Sequence, residues 1–457
     1  MLMRSHWICR LVVVVSWATG LAGWAHGDER PDSLLDRFNR GSRGVTAFVD
    51  VNVVPMVSNR VLPHQTVIIR SGRIFAMGRT GEIDVPEGSE RIDGRDKYLV
   101  PGLVDMHFHL FPADGGVDSA SVDILALLVA NGVTSVRSTI GSPSHLEIRD
   151  RIRTGKMLGP TLYLASPPLQ SKATPTPARA RELVYRYKTD GFDLIKLVLK
   201  DRTDYDSAVA AAREVGLPIF GHVGDSIGIE HALEVGQSVE HLDGYVELVE
   251  KDPKRLPGLV RATQRANVWN CPTQFFHECL YSRDLAEVSS YAGVSLVRQS
   301  VRDEWGRQRT ETMAKYADKA AANARELVTR RRIIKALRDG GARLLVGSDS
   351  PGMFRLPGFA MVEEMRALHR AGLTPYEVLD SATRLPAEYF GALGEFGTVE
   401  VGKRADLILM NANPLRDIDA VFDQAGVMLR GAWFPRPVLD DAARRRGTRL
   451  HADVTQG

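Results

Sequence analysis

Two histidines one residue apart, His107 and His109, close the run Pro101-Gly102-Leu103-Val104-Asp105-Met106-His107-Phe108-His109. On an extended strand alternate residues share a face, so both imidazoles point one way and Phe108 the other. Side by side at the C-terminal end of a strand, they can hold one divalent ion. A His-x-His pair is common by itself; its weight comes from its company further along the chain. Lys196 stands inside the apolar run Asp193-Leu194-Ile195-Lys196-Leu197-Val198-Leu199, where a bare cation is costly. Three chemistries relieve that cost: a neutral amine of Schiff-base type, a carboxylate partner, or reaction with CO₂ to a carbamate able to bridge two metals. His222 in Ile219–Val223, His241 in Val239–Asp243 and Asp349 at the end of Leu344–Asp349 likewise stand near the ends of apolar runs. These donors suit zinc or a similar divalent ion, one or two per chain. His145, His277 and His369 carry no such spacing and read as surface or packed residues, and His231 reads as a structural helix residue.

Donors so far apart in sequence need a scaffold that gathers strand ends. Short Val/Ile/Leu-rich runs alternate with helical patterns, the rhythm of β-α units in a parallel sheet. Eight strands are expected: Leu99–Leu110, Thr134–Ile140, Thr161–Ser166, Leu194–Leu199, Pro218–Val223, Ser238–Asp243, Val268–Thr273 and Arg343–Asp349. Eight units predict an α/β fold, a (β/α)₈ TIM-like barrel over residues 98–396, whose ligands gather at the C-terminal strand ends. The flanks, 44–97 and 397–436, hold short strands with turn signals and are expected to pair as a small β-sandwich domain formed by N- and C-terminal segments; 437–457 reads as a tail. Residues 284–340 form a charged, helical insertion near the barrel mouth, and residues 167–177, rich in Pro, Ser and Thr, look like a mobile loop over the site.

With these motifs in place the chain resembles the amidohydrolase superfamily, most of all its imidazolonepropionase-like and prolidase-like branch. The resemblance covers Pro101–His109, Gly132-Val133-Thr134-Ser135-Val136-Arg137, the Lys196 strand, Val239-Glu240-His241, Gly347-Ser348-Asp349, Leu373-Thr374-Pro375-Tyr376-Glu377 with Ala382-Thr383, and Gly397–Leu407. It implies a metal-dependent hydrolase of carbon–nitrogen bonds acting through a metal-activated hydroxide. His107, His109 and Asp349 would bind one metal, His222 and His241 a second, with a carboxylated Lys196 bridging; Asp349 would also be the catalytic proton acceptor. Three departures touch the loops that set specificity: Ser138 where relatives often have Asp, Lys200-Asp201-Arg202-Thr203-Asp204-Tyr205 after the lysine strand, and Pro167-Pro168-Leu169-Gln170 after strand three. By position alone, Tyr245 and Arg137 are candidate substrate contacts. Other readings are a lactone or ester hydrolase on the same site, a Schiff-base lyase using Lys196, and a catalytically silent barrel; the last two leave the histidines and Asp349 unexplained.

Composition narrows the partners. With 59 basic and 56 acidic side chains the chain carries a formal charge of +3, no basic excess for a nucleic-acid partner; a small-molecule substrate fits, and a homo-oligomer is compatible. Residues 1–27 read as an export signal: Arg4 and Arg10, an apolar stretch from Leu11 to Trp24, then Ala25-His26-Gly27 as the cleavage site. The expected destination is periplasmic or extracellular, with no later membrane span. Cys271 and Cys279 would remain after cleavage, and an exported protein permits a disulfide between them.

Overall fold

The computed structural model describes residues 33–110, 119–173, 176–315 and 317–450. The expected export signal lies outside the described residues. Short parallel strands alternate with helices through the middle of the chain: β1 (Leu103–Phe108), β2 (Val133–Ser138), β3 (Thr161–Leu164), β4 (Ile195–Val198), β5 (Ile219–Gly221), β6 (Ser238–Glu240), β7 (Trp269–Cys271) and β8 (Arg343–Leu344). Strands β1, β2 and β3 pair in order as one parallel sheet, and β4 through β8 pair in order as another. Backbone pairing continues between the two sheets at both edges. A parallel bridge joins Ala165, after β3, to Leu194, before β4, and another joins Phe108 of β1 to Ser350, beyond β8. The second edge is reinforced by Met106 N–H to Val346 O at 2.9 Å and Asp349 N–H to His107 O at 2.7 Å.

Each expected strand has its counterpart, shortened at the C-terminal end. The chain leaves the ladder where the candidate donors stand: His241 and Asp349 adopt left-handed backbone, φ 60° and 51°, which L-residues rarely take and which concentrates at functional sites. The expected strand Leu99–Leu110 is two strands. Tyr98–Pro101 belongs to a terminal sheet and β1 to the parallel one, with Gly102 between them donating to Asp406 O at 2.8 Å.

That terminal sheet has eight strands and takes pieces from both flanks. Val45–Val53 pairs antiparallel with Leu62–Arg70, and Tyr98–Pro101 pairs antiparallel with Leu407–Met410. Apolar residues at alternating positions gather on one side, as the strand period requires: Phe48, Val67, Ile69, Leu99, Leu407, Leu409, Met428 and Trp433 form their own buried cluster.

Three flanking segments differ from or refine the sequence expectation. The expected tail contains a helix, Arg436–Gly447, whose Arg446 pairs with Asp123 at 2.8 Å. The stretch expected to be a mobile loop contains Leu169–Gln170, paired in parallel with β4. The insertion is helical as expected, with Gln299–Lys315 and Ala320–Asp339 its long members. The second of these helices sends buried Arg330 under the strand ends, where it donates to His241 O at 2.7 Å and Pro272 O at 2.6 Å. It thereby satisfies carbonyls that the ended strands leave open.

Candidate metal centre

Alternation along β1 points Asp105, His107 and, just beyond it, His109 to the same side. Nε2 of His107 lies 3.2 Å from Nε2 of His109, and Nε2 of His109 lies 3.2 Å from Oδ1 of Asp349. One donor atom from each of His107, His109 and Asp349 falls within 4.8 Å of the others. His241 adjoins them: its Nδ1 is 3.7 Å from Oδ2 of Asp349, and its ring centroid is 4.6 Å from that of His107. His222 stacks on His241 at 4.9 Å between centroids. Lys196 is buried, its Nζ 5.2 Å from the centroid of the Phe220 ring. Five of the expected side chains therefore adjoin one another, and Lys196 is buried on β4, which pairs with the strand leading to His222.

Their surroundings prepare them as ligands. His107 Nδ1 lies 2.6 Å from Glu240 Oε2, and His222 Nδ1 lies 2.9 Å from Asp243 Oδ2. His241 Nδ1 lies 2.7 Å from Thr273 Oγ1, which itself donates to Pro272 O. Each acceptor fixes the hydrogen on Nδ1 and leaves Nε2 with its lone pair, the arrangement that orients histidine toward a metal. Burial holds His107 and His241 well below the usual histidine range and brings His109 down to about 4. These imidazoles are therefore neutral near neutral pH, as coordination requires. Burial also lowers Lys196, against the attraction of Glu240 and Asp349. The donor set fits a divalent ion. A second grouping, His107 with Glu240 and Cys271, also lies within 4.8 Å, but burial pushes the Cys271 thiol well up and Arg137 already holds Glu240 at 2.7 Å. Protonated sulfur and a committed carboxylate make it the poorer site.

The two positional guesses for substrate contacts are corrected. Arg137 is fully buried below the histidines, donating to Met106 O at 2.6 Å, Tyr389 Oη at 3.1 Å and Glu240 Oε1 at 2.7 Å. Its three guanidinium nitrogens are spent on these partners, so it braces the site rather than facing a substrate. Tyr245 is fully buried too, its hydroxyl 2.7 Å from Thr263 Oγ1. Gly244, at φ 79°, turns the chain into the helix Tyr245–Lys251 and swings Tyr245 into the core. Tyr245→Phe should leave kcat/KM unchanged and cost about 1 kcal/mol of stability, the worth of one buried hydrogen bond; a large rise in KM in steady-state assays would restore it to the site. Cys271 and Cys279 are both free and buried, so the permitted disulfide is not formed.

Several contributors escaped the sequence reading. Glu240 is fully buried and joins His107 to Arg137. Asp105 accepts from His107 N, Ser348 N and Ser348 Oγ at 3.1, 2.9 and 2.5 Å, strapping β1 to the Asp349 turn. Its place on the His107 face was legible from alternation alone. Gly347 permits that close passage: a Cβ there would sit 2.4 Å from Cys271 Sγ and 2.6 Å from His107 Cβ. His277, read as a surface or packed residue, is buried with its ring 6.1 Å from His241. Nothing in its spacing announced that placement.

Comparison with known proteins places the chain among relatives of similar architecture. A family model described as "Amidohydrolase family" matches residues 98–434. The imidazolonepropionase of Rhizobium rhizogenes is 24% identical over 389 residues, spanning 81% of this chain and 92% of that protein. Among solved structures, a bottromycin amidohydrolase superposes with a TM-score of 0.71 at 23% identity, covering 92% of this chain and 94% of its own. A putative prolidase from Bifidobacterium longum gives 0.65 at 24% identity, covering 90% and 97%.

Proposed function

We propose, from the premise that this chain belongs to the amidohydrolase family of hydrolases acting on carbon–nitrogen bonds, that it cleaves an amide bond of a small molecule at the His107–Asp349 cluster. A dipeptide, an N-acyl amino acid or a cyclic amide is the substrate class this reading favours. One observation carries it: donors from His107, His109 and Asp349 converge within 4.8 Å, with neutral imidazoles and a carboxylate in the combination a catalytic divalent ion takes. His107, His109 and Asp349 would hold one ion, zinc by donor type, and His222 and His241 a second. Lys196, kept toward its neutral amine by burial, is suited to react with CO₂ and join the two sites as a carbamate. Such an ion, when bound, acidifies water and polarises the scissile carbonyl.

The chain's own groups supply the rest. Glu240, Asp243 and Thr273 fix the three imidazoles through Nδ1. Asp349, at the rim, is placed to take a proton from the attacking water and return it to the leaving nitrogen. In the same reading the two parallel sheets close as a (β/α)₈ barrel over residues 98–396, supported by the bridges at both edges. Segments 44–97 and 397–436 make a small sandwich around the Phe48–Trp433 cluster, and the protein is exported. No helix among the described residues is long and apolar enough to cross a membrane.

The test is metal removal. Purified enzyme should carry about two divalent ions per chain by elemental analysis. Exhaustive chelation should abolish hydrolysis across a panel of dipeptides, N-acyl amino acids and cyclic amides, and zinc should restore it. Full activity in metal-stripped enzyme would end this reading.

A further inference from the structure

Arg355 stands apart from the other buried arginines near the centre. Arg137 is paired with Glu240, and Arg330 spends its donors on His241 O, Pro272 O and Gln274 Oε1. Arg355 is 7% exposed, and no carboxylate among the described residues forms an ion pair with it. Its one oxygen contact among them is a long one, Nε to Asp349 O at 3.3 Å, beside a contact to the Cys279 sulfur. A guanidinium this enclosed is costly unless an anion meets it.

Its position is fixed and close to the chemistry. A backbone bridge pairs Gly352 with Arg355, the Arg355 N–H donating to Gly352 O at 2.9 Å. The preceding Phe354 is buried against Trp305, centroids 5.4 Å apart. The guanidinium folds back across Gly352, where a Cβ would lie 2.2 Å from one of its terminal nitrogens. It rests 4.6 Å from the Phe276 ring centroid, and Phe276 lies 6.0 Å from the His241 ring. The result is a cation beside the Asp349 backbone, with an aromatic wall leading to the imidazoles.

We infer that Arg355 is the specificity residue for a free carboxylate on the substrate, so that the enzyme acts on N-acyl amino acids or dipeptides rather than on neutral amides. In such molecules the carboxylate carbon is two bonds from the scissile nitrogen. That offset matches a guanidinium next to, but outside, the donor cluster. The planar fork of arginine suits a carboxylate, and Phe276 offers an apolar surface to the amino-acid side chain. This inference rests on the proposed hydrolase activity for the chemistry after binding, and the experiment separates the two.

The probes are N-acetyl derivatives of the neutral amino acids, each as free acid and as methyl ester. Binding to metal-stripped protein is read by saturation-transfer NMR, and kcat/KM is measured after zinc loading. Wild type should bind and turn over the acids with about a tenfold to hundredfold preference over the esters, the span a charge-assisted pair gives. Arg355→Met should erase that preference through KM, and Arg355→Lys should keep part of it. Gly352→Ala, which displaces the guanidinium without removing it, should act like Arg355→Met, so the inference stays testable if that variant does not fold. Equal binding of acids and esters by wild type, no binding of any probe, or an unchanged preference in Arg355→Met and Gly352→Ala overturns it. Acids bound but never hydrolysed would leave the carboxylate site standing and remove the hydrolase; acids and esters hydrolysed alike would do the reverse.

Discussion

Asp349→Asn is expected to lower kcat by at least about 10³-fold while the protein stays folded. Two losses combine. The carboxylate lies 3.2 Å from His109 Nε2 and 3.7 Å from His241 Nδ1, so an amide there weakens the anionic corner of the donor set. It also removes the group placed to carry the proton between water and leaving nitrogen, a role worth about 10²–10⁴-fold by itself. Stability should change little, because the turn around residue 349 is held mainly by other groups: Asp105 to Ser348, Asp349 N–H to His107 O, and His109 N–H to Ser350 O. The measurements are kcat at saturating zinc, metal content and a thermal melt. A variant with full metal occupancy and kcat within a few fold of wild type would remove Asp349 from the chemistry and point to another base.

Glu240→Gln should damage both fold and centre. The carboxylate is fully buried between Arg137 and His107. Losing its charge leaves a buried guanidinium uncompensated, which costs about 3–5 kcal/mol. It also replaces the charged acceptor that sets the His107 tautomer with a neutral amide, and loss of such a partner lowers metal affinity about 10–100-fold in comparable sites. The two consequences can be parted. Adding Arg137→Met should recover much of the lost melting temperature and none of the lost zinc affinity. Zinc affinity unchanged in Glu240→Gln, measured by competition with a chromophoric chelator, would show that His107 needs no such partner.

The candidate donor cluster was legible in sequence because each of its members breaks a local rule. A lysine in an apolar strand and histidines at the ends of Val- and Ile-rich runs are costly there unless something binds them, and alternation told which way His107 and His109 point. The supporting residues obey no rule so visible. Glu240 precedes His241, and strict alternation would send the two to opposite faces; both serve the site only because His241 takes a left-handed turn at φ 60°. Tyr245 defeats positional reasoning for the same reason, since the turn at Gly244 reverses where a residue just past β6 looks. Arg355 lies six residues beyond Asp349 in a hairpin whose folding back over Gly352 leaves no periodic trace. The strand order of the parallel sheets followed from repeated β-α units, whereas the break at Gly102 depended on a partner strand more than 300 residues away in sequence.

That break has a consequence for how the molecule is made. The strand bearing His107 continues, through one glycine, a strand whose neighbour is Leu407–Met410, itself flanked by Gln424–Leu429. During synthesis the first donors therefore emerge long before the segment that braces them, and a nascent chain halted before Leu407 lacks that brace. Assembly of the proposed centre waits on the last tenth of the polypeptide, so truncations well outside the donor set should abolish retention of the proposed ion as surely as losing one of the donors.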